Sequence, residues 1–415
     1  MNRILFVAVF SVVFLLIDYY AFQAIKILTA NQLEGFQKGI KILYFSITFL
    51  VIAATLMYNF GNPDGIAKHA RTALMSFVFI NVLAKLFLGL FVFFDDIQRF
   101  VRWIIMKLSS PETVSSEEGI SRSKFIATTG LIVAAVPIVS LSWGIISGAH
   151  DYRVRRIKLP IRNLPKALEG LRIGQLSDIH SGSFWNKTAV KGGVQMLADE
   201  KVDLAFFTGD LVNNKATEMQ EWGSVFAKVN APLGVYSVFG NHDYGDYVQW
   251  ESQAQKQKNL ADLATIHKNM GWNLLMNEHK QIRVDGEVLN VIGVENWGAK
   301  ARFPKYGKLD LAMQDLPDSS VNLLLSHDPS HWQAEVLPKY KNIDLTLSGH
   351  THGMQFGIDI PGFKWSPVQY IYDEWAGLYQ SGGQYLYVNR GFGYIGYPGR
   401  VGILPEISVI TLERA

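Results

Sequence analysis

Four long apolar runs open the chain, over Ile4–Ile25, Ile40–Phe60, Ala73–Phe94 and Phe125–Ile146. Each is close to the ~20 residues that a helix needs to cross a hydrocarbon core. One such run alone is ambiguous, because a buried core helix or a signal peptide reads the same way. Four in succession, separated by short charged connections, predict a membrane domain of four transmembrane helices over residues 1–148.

Two charged residues interrupt these runs, Asp18 and Lys85. Charge inside a span is a functional-site candidate by default. Here structural roles are expected: Asp18 lies near the end of its run, and Lys85 can snorkel or pair with it. Between the third and fourth runs, "IQRFVRWIIMKL" alternates apolar and basic groups as an interfacial amphipathic helix would. "SSPETVSSEEG" after it is polar linker. Lys and Arg near the spans divide eight to eight between the two sides, so the positive-inside rule does not orient the chain.

From about residue 149 the composition becomes globular, with a linker and first strand region over 149–170 and a second domain over 171–415. The net charge of +3 gives no electrostatic footprint for nucleic acid. With no cysteine, thiolate ligands, disulfides and a cysteine nucleophile are all excluded. Five segments repeat one plan: "LRIGQLSDIHSG", "VDLAFFTGDLV", "GVYSVFGNHDYG", "VNLLLSHDP" and "IDLTLSGHTHG". Each is a short apolar run of strand length that ends in a turn-prone cluster bearing Asp, His or Asn. Helix-compatible stretches lie between them, so an α/β architecture is expected. In such folds ligands collect beyond the carboxyl ends of strands, where all five clusters fall.

Together the clusters gather Asp178, His180, Asp210, Asn241, His242, His327, His350 and His352. Any one of them alone reads as turn chemistry or a packed histidine. As a set, imidazole, carboxylate and amide oxygen without sulfur suit borderline to hard divalent cations.

In order, D-x-H, G-D, G-N-H-D, a strand-end His and G-H-T-H resemble the calcineurin-like metallophosphoesterase superfamily over most of residues 157–415. The resemblance implies two packed mixed β-sheets flanked by helices, with a dinuclear metal centre at the strand ends. By motif, Asp178, His180 and His352 would hold one divalent ion. Asn241, His327 and His350 would hold the other, with Asp210 bridging; the ions would be Mn²⁺, Fe²⁺ or Zn²⁺. His242 would face substrate, as proton donor or as electrostatic stabiliser, and Asp243 would orient its ring. The implied reaction is hydrolysis of a phosphodiester or pyrophosphate by metal-activated hydroxide.

The tail "YVNRGFGYIGYPGRVGILPEISVITL" resembles a bacterial membrane-anchored branch of the superfamily. Some members of that branch cleave UDP-2,3-diacylglucosamine in lipid metabolism. On this resemblance Asn389, Arg390 and Arg400 are candidate phosphate-binding residues, and a lipid-linked phosphorylated substrate is expected at the bacterial inner membrane. "SRSKFIATTG" is similar to a twin-arginine export signal with Ser123 at the second arginine, which favours an extracytoplasmic catalytic domain. Met354 stands where many relatives have glycine and would narrow or grease the entrance. The rival reading is a non-catalytic membrane sensor or scaffold that uses the phosphoesterase domain to bind ligand. His69, His150, His267, His279 and His331 are assigned to packing or surface. The aromatics from Phe363 to Tyr397 form either a rim near the bilayer or a packed loop.

Overall fold

The computed structural model describes residues 3–61, 68–108, 122–300, 303 and 305–415, with the backbone alone at 3, 68–69, 106 and 122–124. The chain divides into two compact units, Met1–Trp143 and Gly144–Ala415.

In the first unit the apolar runs form helices α1 (Arg3–Thr29), α2 (Glu34–Phe60), α3 (Lys68–Leu108) and α4 (Arg122–Ile146). Among the described residues, four helices are long and apolar enough to cross a membrane. The third differs from expectation. The basic-apolar stretch that reads as a separate interfacial helix continues α3 without a break. At 1.5 Å per residue its 41 residues run about 60 Å, twice a hydrocarbon core. The polar linker 109–119 and part of the export-like stretch lie outside the described residues.

The charged residues inside the runs are paired. The Lys85 ammonium contacts Asp18 directly. Thr48 Oγ1 donates to Asp18 Oδ2 at 2.7 Å and accepts from Lys85 Nζ at 2.9 Å. Buried charge in an apolar bundle persists only when partnered in this way.

The second unit is a sandwich. One six-stranded sheet runs in the order β1 (Arg153–Ile161), β14 (Glu406–Arg414), β2 (Arg172–Leu176), β3 (Leu204–Phe207), β4 (Val235–Ser237), β5 (Trp272–Leu274). The other runs β12 (Gly377–Ser381), β13 (Gln384–Val388), β9 (Leu345–Ser348), β8 (Val321–Leu325), β7 (Glu287–Gly293), β6 (Glu278–Val284). Both are mixed: β2 to β5 are mutually parallel while β14 opposes β2, and β6 and β12 run against their neighbours. A separate hairpin joins β10 (Ile358–Ile360) to β11 (Phe363–Trp365).

The period-2 geometry of strands divides their side chains between two cores. Phe206, Ile173, Leu323 and Leu345 fill the space between the sheets. Phe207 and Ala205 turn outward against helix α5 (Lys187–Asp199), through Val190 and Val194, and against the short α6 (Gly223–Phe226) and α7 (Gln253–Asn269). The second sheet covers its outer face with Trp332 and Val336 over Ile292 and Leu324. The central strands β2, β3, β8, β9 and β13 are therefore buried on both sides, which is why they read as continuous apolar runs rather than alternating ones.

Candidate metal centre

All five motif clusters emerge from the carboxyl ends of parallel strands: β2, β3 and β4 in one sheet, β8 and β9 in the other. The sheets bring these ends together, and hydrogen bonds lock the loops. His180 N–H donates to the Asp210 carbonyl (3.0 Å) and Gly349 N–H to that of His327 (2.9 Å). His350 N–H crosses between the sheets to the Asp178 carboxylate at 2.9 Å.

Two ligand groups result. Asp178, His180 and His352 place their ligand atoms within 4.8 Å of one another, and so do Asp210, His327 and His350. In the first group the Nε2 atoms of His180 and His352 lie 3.0 Å apart, and Asp178 Oδ1 is 3.2 Å from His352 Nε2. In the second, Asn241 Oδ1 sits 2.9 Å from His350 Nδ1 and 3.2 Å from His327 Nε2. Asp210 touches both: its Oδ2 is 3.5 Å from His180 Nε2 and 3.2 Å from His327 Nε2. Its other oxygen accepts the His242 N–H at 2.8 Å, so a single oxygen faces the two groups.

Backing partners define the histidine tautomers of the second group. His327 Nδ1 donates to the Thr208 carbonyl at 2.7 Å, which leaves Nε2 bare in the neutral ring. Tyr372 gives its only proton to Asp328 Oδ2 (3.2 Å), so its oxygen accepts from His350 Nε2 (3.0 Å) and Nδ1 is bare. With the His327 ring neutral, two lone-pair nitrogens, an amide oxygen and a carboxylate oxygen converge with no donor among them. That is a cation site by the chemistry of its atoms. The titration of His327 agrees. Burial opposes its charging, yet the Asp210 carboxylate overcomes this and pushes the ring up to about 10, so a proton is held where a cation would sit.

The backbone is bent to make this possible. Asp178, His180, Asp210, His350 and His352 all have positive φ, between 48° and 70°. Such conformations are costly for residues with a Cβ and cluster at functional sites. Gly349 answers to close approach, because a Cβ there would lie 1.9 Å from Ser177 Oγ and 2.1 Å from Asp178 Oδ2. Gly353 takes φ +52 at the exit of the same loop.

Other expectations require correction. Asp243 does not orient the His242 ring, whose Nδ1 donates instead to the Asn213 carbonyl at 2.9 Å. The Asp243 carboxylate is buried and accepts four backbone N–H groups: Asp210 and Gly240 on one oxygen (2.8 Å each), Leu211 (2.8 Å) and Val212 (3.2 Å) on the other. It staples the β3 and β4 loops together. Burial and the neighbouring Asp210 charge push this carboxyl up to about 7, against the pull of those donors.

Asn389, Arg390 and Arg400 do not face a substrate. Asn389 bonds Ser408 and the Gly391 N–H, and Arg390 pairs with Glu406 at 2.6 Å. Arg400 is wholly buried and donates to the carbonyls of Gly393, Arg390 and Ile403, with Nη2 3.2 Å from His352 Nδ1 behind the metal group. Burial consumes these side chains.

Asn213, which backs His242, and Asp328 and Tyr372, which back His350, were not legible as site residues. Asp328 adjoins His327 in "SHDP", but nothing local marks Tyr372, which lies 44 residues from Asp328. Met354 is exposed. The histidines assigned to packing lie apart from both groups: His331 bonds Ser326, His267 bonds Ser237, His279 bonds the Ala312 carbonyl and His150 packs on Trp185. The His69 side chain lies outside the described residues.

Comparison with known proteins agrees with this geometry. Residues 171–354 match the calcineurin-like phosphoesterase family, and residues 2–149 match a family described as "Probable Calcineurin-like phosphoesterase, transmembrane domain". The metallophosphoesterase YkuE of Bacillus subtilis is 30% identical over 60% of this chain and 82% of its own length. A zebrafish (Danio rerio) "Transmembrane protein with metallophosphoesterase domain" is 29% identical over 83% of this chain and 74% of its own. The UDP-2,3-diacylglucosamine pyrophosphatase LpxG of Chlamydia trachomatis is 27% identical over 63% of this chain and 89% of its own. The chain belongs to the calcineurin-like metallophosphoesterases, phosphoester hydrolases that use divalent metal ions, and carries its hydrolase domain behind a multi-pass membrane domain.

Proposed function

We propose that the protein hydrolyses a phosphodiester or pyrophosphate bond in a lipid-linked substrate. UDP-2,3-diacylglucosamine is the chemical type, by analogy with the named activity of the Chlamydia relative. The observation that carries the reading is the presence, in one chain, of a complete two-group ligand set and helices that hold it at a bilayer. Anchoring concentrates the site where a lipid-borne substrate resides. The export-like segment ahead of the fourth span supports an extracytoplasmic site at a bacterial inner membrane.

Two divalent ions in this site would stabilise phosphoryl charge and acidify water toward neutrality. The residues of the chain hold and aim. Asp178, His180 and His352 form one half of the cradle, and Asn241, His327 and His350 the other. Asp210 Oδ2 joins the halves, and the like charge it offsets explains why a carboxylate stands there. With Nδ1 of His242 committed to Asn213, its Nε2 is the atom that would face the leaving oxygen, as proton donor or electrostatic stabiliser when the ring is charged.

Purified protein with Mn²⁺ would be assayed on bis(p-nitrophenyl) phosphate and on UDP-linked lipid, with metal analysis of the same sample. Asp210→Ala and His350→Ala should each lose metal and turnover. Wild-type metal content and activity in both would sink the ligand assignment. Hydrolysis of the soluble diester without any of the lipid would sink the substrate assignment.

A further inference from the structure

The β10–β11 hairpin has its amphipathicity reversed. Residues directly opposite in an antiparallel pair share a face, so the register puts Ile358, Ile360, Phe363 and Trp365 on one side. Asp359 and Lys364 lie opposite each other on the other side. In a water-soluble domain the apolar side packs inward and the polar side is solvated. Here the polar side is the attached one. Asp359 pairs with Arg155 and, at 3.1 Å, with Arg390, while Lys364 reaches the Ala376 carbonyl and, at 3.1 Å, the Tyr379 hydroxyl. The apolar side faces out: Ile358 is 44% exposed, Ile360 58% and Phe363 54%. Tyr370, 77% exposed, hydrogen-bonds Trp365 at the edge of the patch, and the neighbouring Ile371 is half exposed.

We propose that this face docks into the bilayer in which the chain itself is anchored, at the depth of the upper acyl chains and headgroups. Two observations choose lipid over a protein partner as the occupant. Arg155, which clamps the hairpin, lies only nine residues beyond Ile146, the end of α4. At 3.3–3.6 Å per residue that is at most about 30 Å of chain, so the hairpin stays within reach of the membrane surface. The exposed rings are Phe363 and Tyr370, with Trp365 half-buried beside them, and Trp and Tyr are favoured where one end is apolar and the other wet. A contiguous outward apolar surface of this kind marks a membrane or partner contact.

The patch is also wired to the metal loop. The hairpin follows His352–Gln355 within a few residues. Ser366 Oγ, just after β11, donates to the Gly353 carbonyl at 2.8 Å, and Thr351 Oγ1 donates to the Trp375 carbonyl at 2.7 Å. Docking the hairpin would therefore seat His350 and His352 at the level of lipid headgroups. This second step deepens the lipid-linked reading and rests on it; the docking itself does not.

The chain has no cysteine, so single labels can be placed in the full-length protein. Ile360→Cys and, as control, Asp262→Cys on α7 would carry a polarity-sensitive fluorophore in nanodiscs of phosphatidylethanolamine and phosphatidylglycerol. The expected result is blue-shifted emission at position 360, quenched by lipid-borne nitroxide and protected from aqueous dithionite, with none of these at 262. Equal aqueous access at both positions would overturn the proposal. So would disulfide cross-linking of unlabelled Ile360→Cys between two copies, which would assign the face to a second chain. A combined Ile358→Ser, Ile360→Ser, Phe363→Ser protein should keep its activity on a soluble diester and lose it on the lipid-borne substrate. A membrane-inserted label in a wild-type protein inactive on every lipid substrate would uphold docking and defeat the lipid-linked reading.

Discussion

Replacing Asp243 with asparagine separates a scaffold from a catalytic group. The carboxylate accepts four backbone N–H groups, two on each oxygen. An amide keeps one accepting oxygen and turns an NH₂ toward the other pair, whichever way it is oriented. Two buried N–H groups then lack an acceptor, at about 1–3 kcal/mol each, so Asp243→Asn should cost roughly 2–6 kcal/mol. A domain of this size loses about 2–4 °C of Tm per kcal/mol, so the transition should fall by roughly 4–24 °C. One pair includes the Asp210 N–H, so the bridging carboxylate also shifts and metal affinity falls. The assay is tryptophan-fluorescence melting of wild type and variant at pH 8, above the value of about 7 to which burial and Asp210 push the carboxyl, followed by Mn²⁺ titration. An unchanged melt and unchanged metal affinity, with only an altered pH–rate profile, would refute the scaffold argument. That pattern would restore a role in orienting His242.

Tyr372→Phe removes the acceptor of His350 Nε2 while preserving the ring. Metal affinity should fall about 10–100-fold, as it does when such backing partners are lost, measured by competition with a chelator; an unchanged affinity would remove Tyr372 from the site. Arg400→Met should lower the melting transition by at least the equivalent of about 3 kcal/mol, because several buried carbonyls lose their donor. The KM of the folded fraction should not change, and a selective rise in KM would return Arg400 to substrate binding. In the metal-free protein, burial opposes and Asp210 overcomes, leaving His327 protonated up to about pH 10. Metal must displace that proton, so affinity should rise with pH until about 10. Calorimetry in buffers of different ionisation enthalpy should show proton release at pH 7, and none would contradict the assignment.

The parts of the protein that local chemistry controls were legible in the sequence. Apolar runs long enough to span a bilayer became α1 to α4. The strand-end Asp, Asn and His clusters could be placed because such side chains gather where a strand stops and its backbone turns, and the resemblance of their order to the family gave their expected roles. Asn389, Arg390 and Arg400 could not be judged in the same way. In a glycine-rich loop, an arginine reaching a phosphate and one buried among carbonyls have the same local sequence. Only the packing of β13, β14 and the loop between them shows that these side chains are already bonded within the protein. Asp243 is similar, since its four donors come from two loops that meet only when β3 and β4 align.

What the sequence determined by itself was the set of spans and the strand-end donor types, a set that suits divalent cations, because these follow from length, period and ligand chemistry. The tertiary structure decided which atoms face the ions, which tautomers their backing partners enforce, and which side of a short hairpin is left outward. Those features depend on groups distant in the chain coming within 3 Å of one another, and no local pattern encodes that.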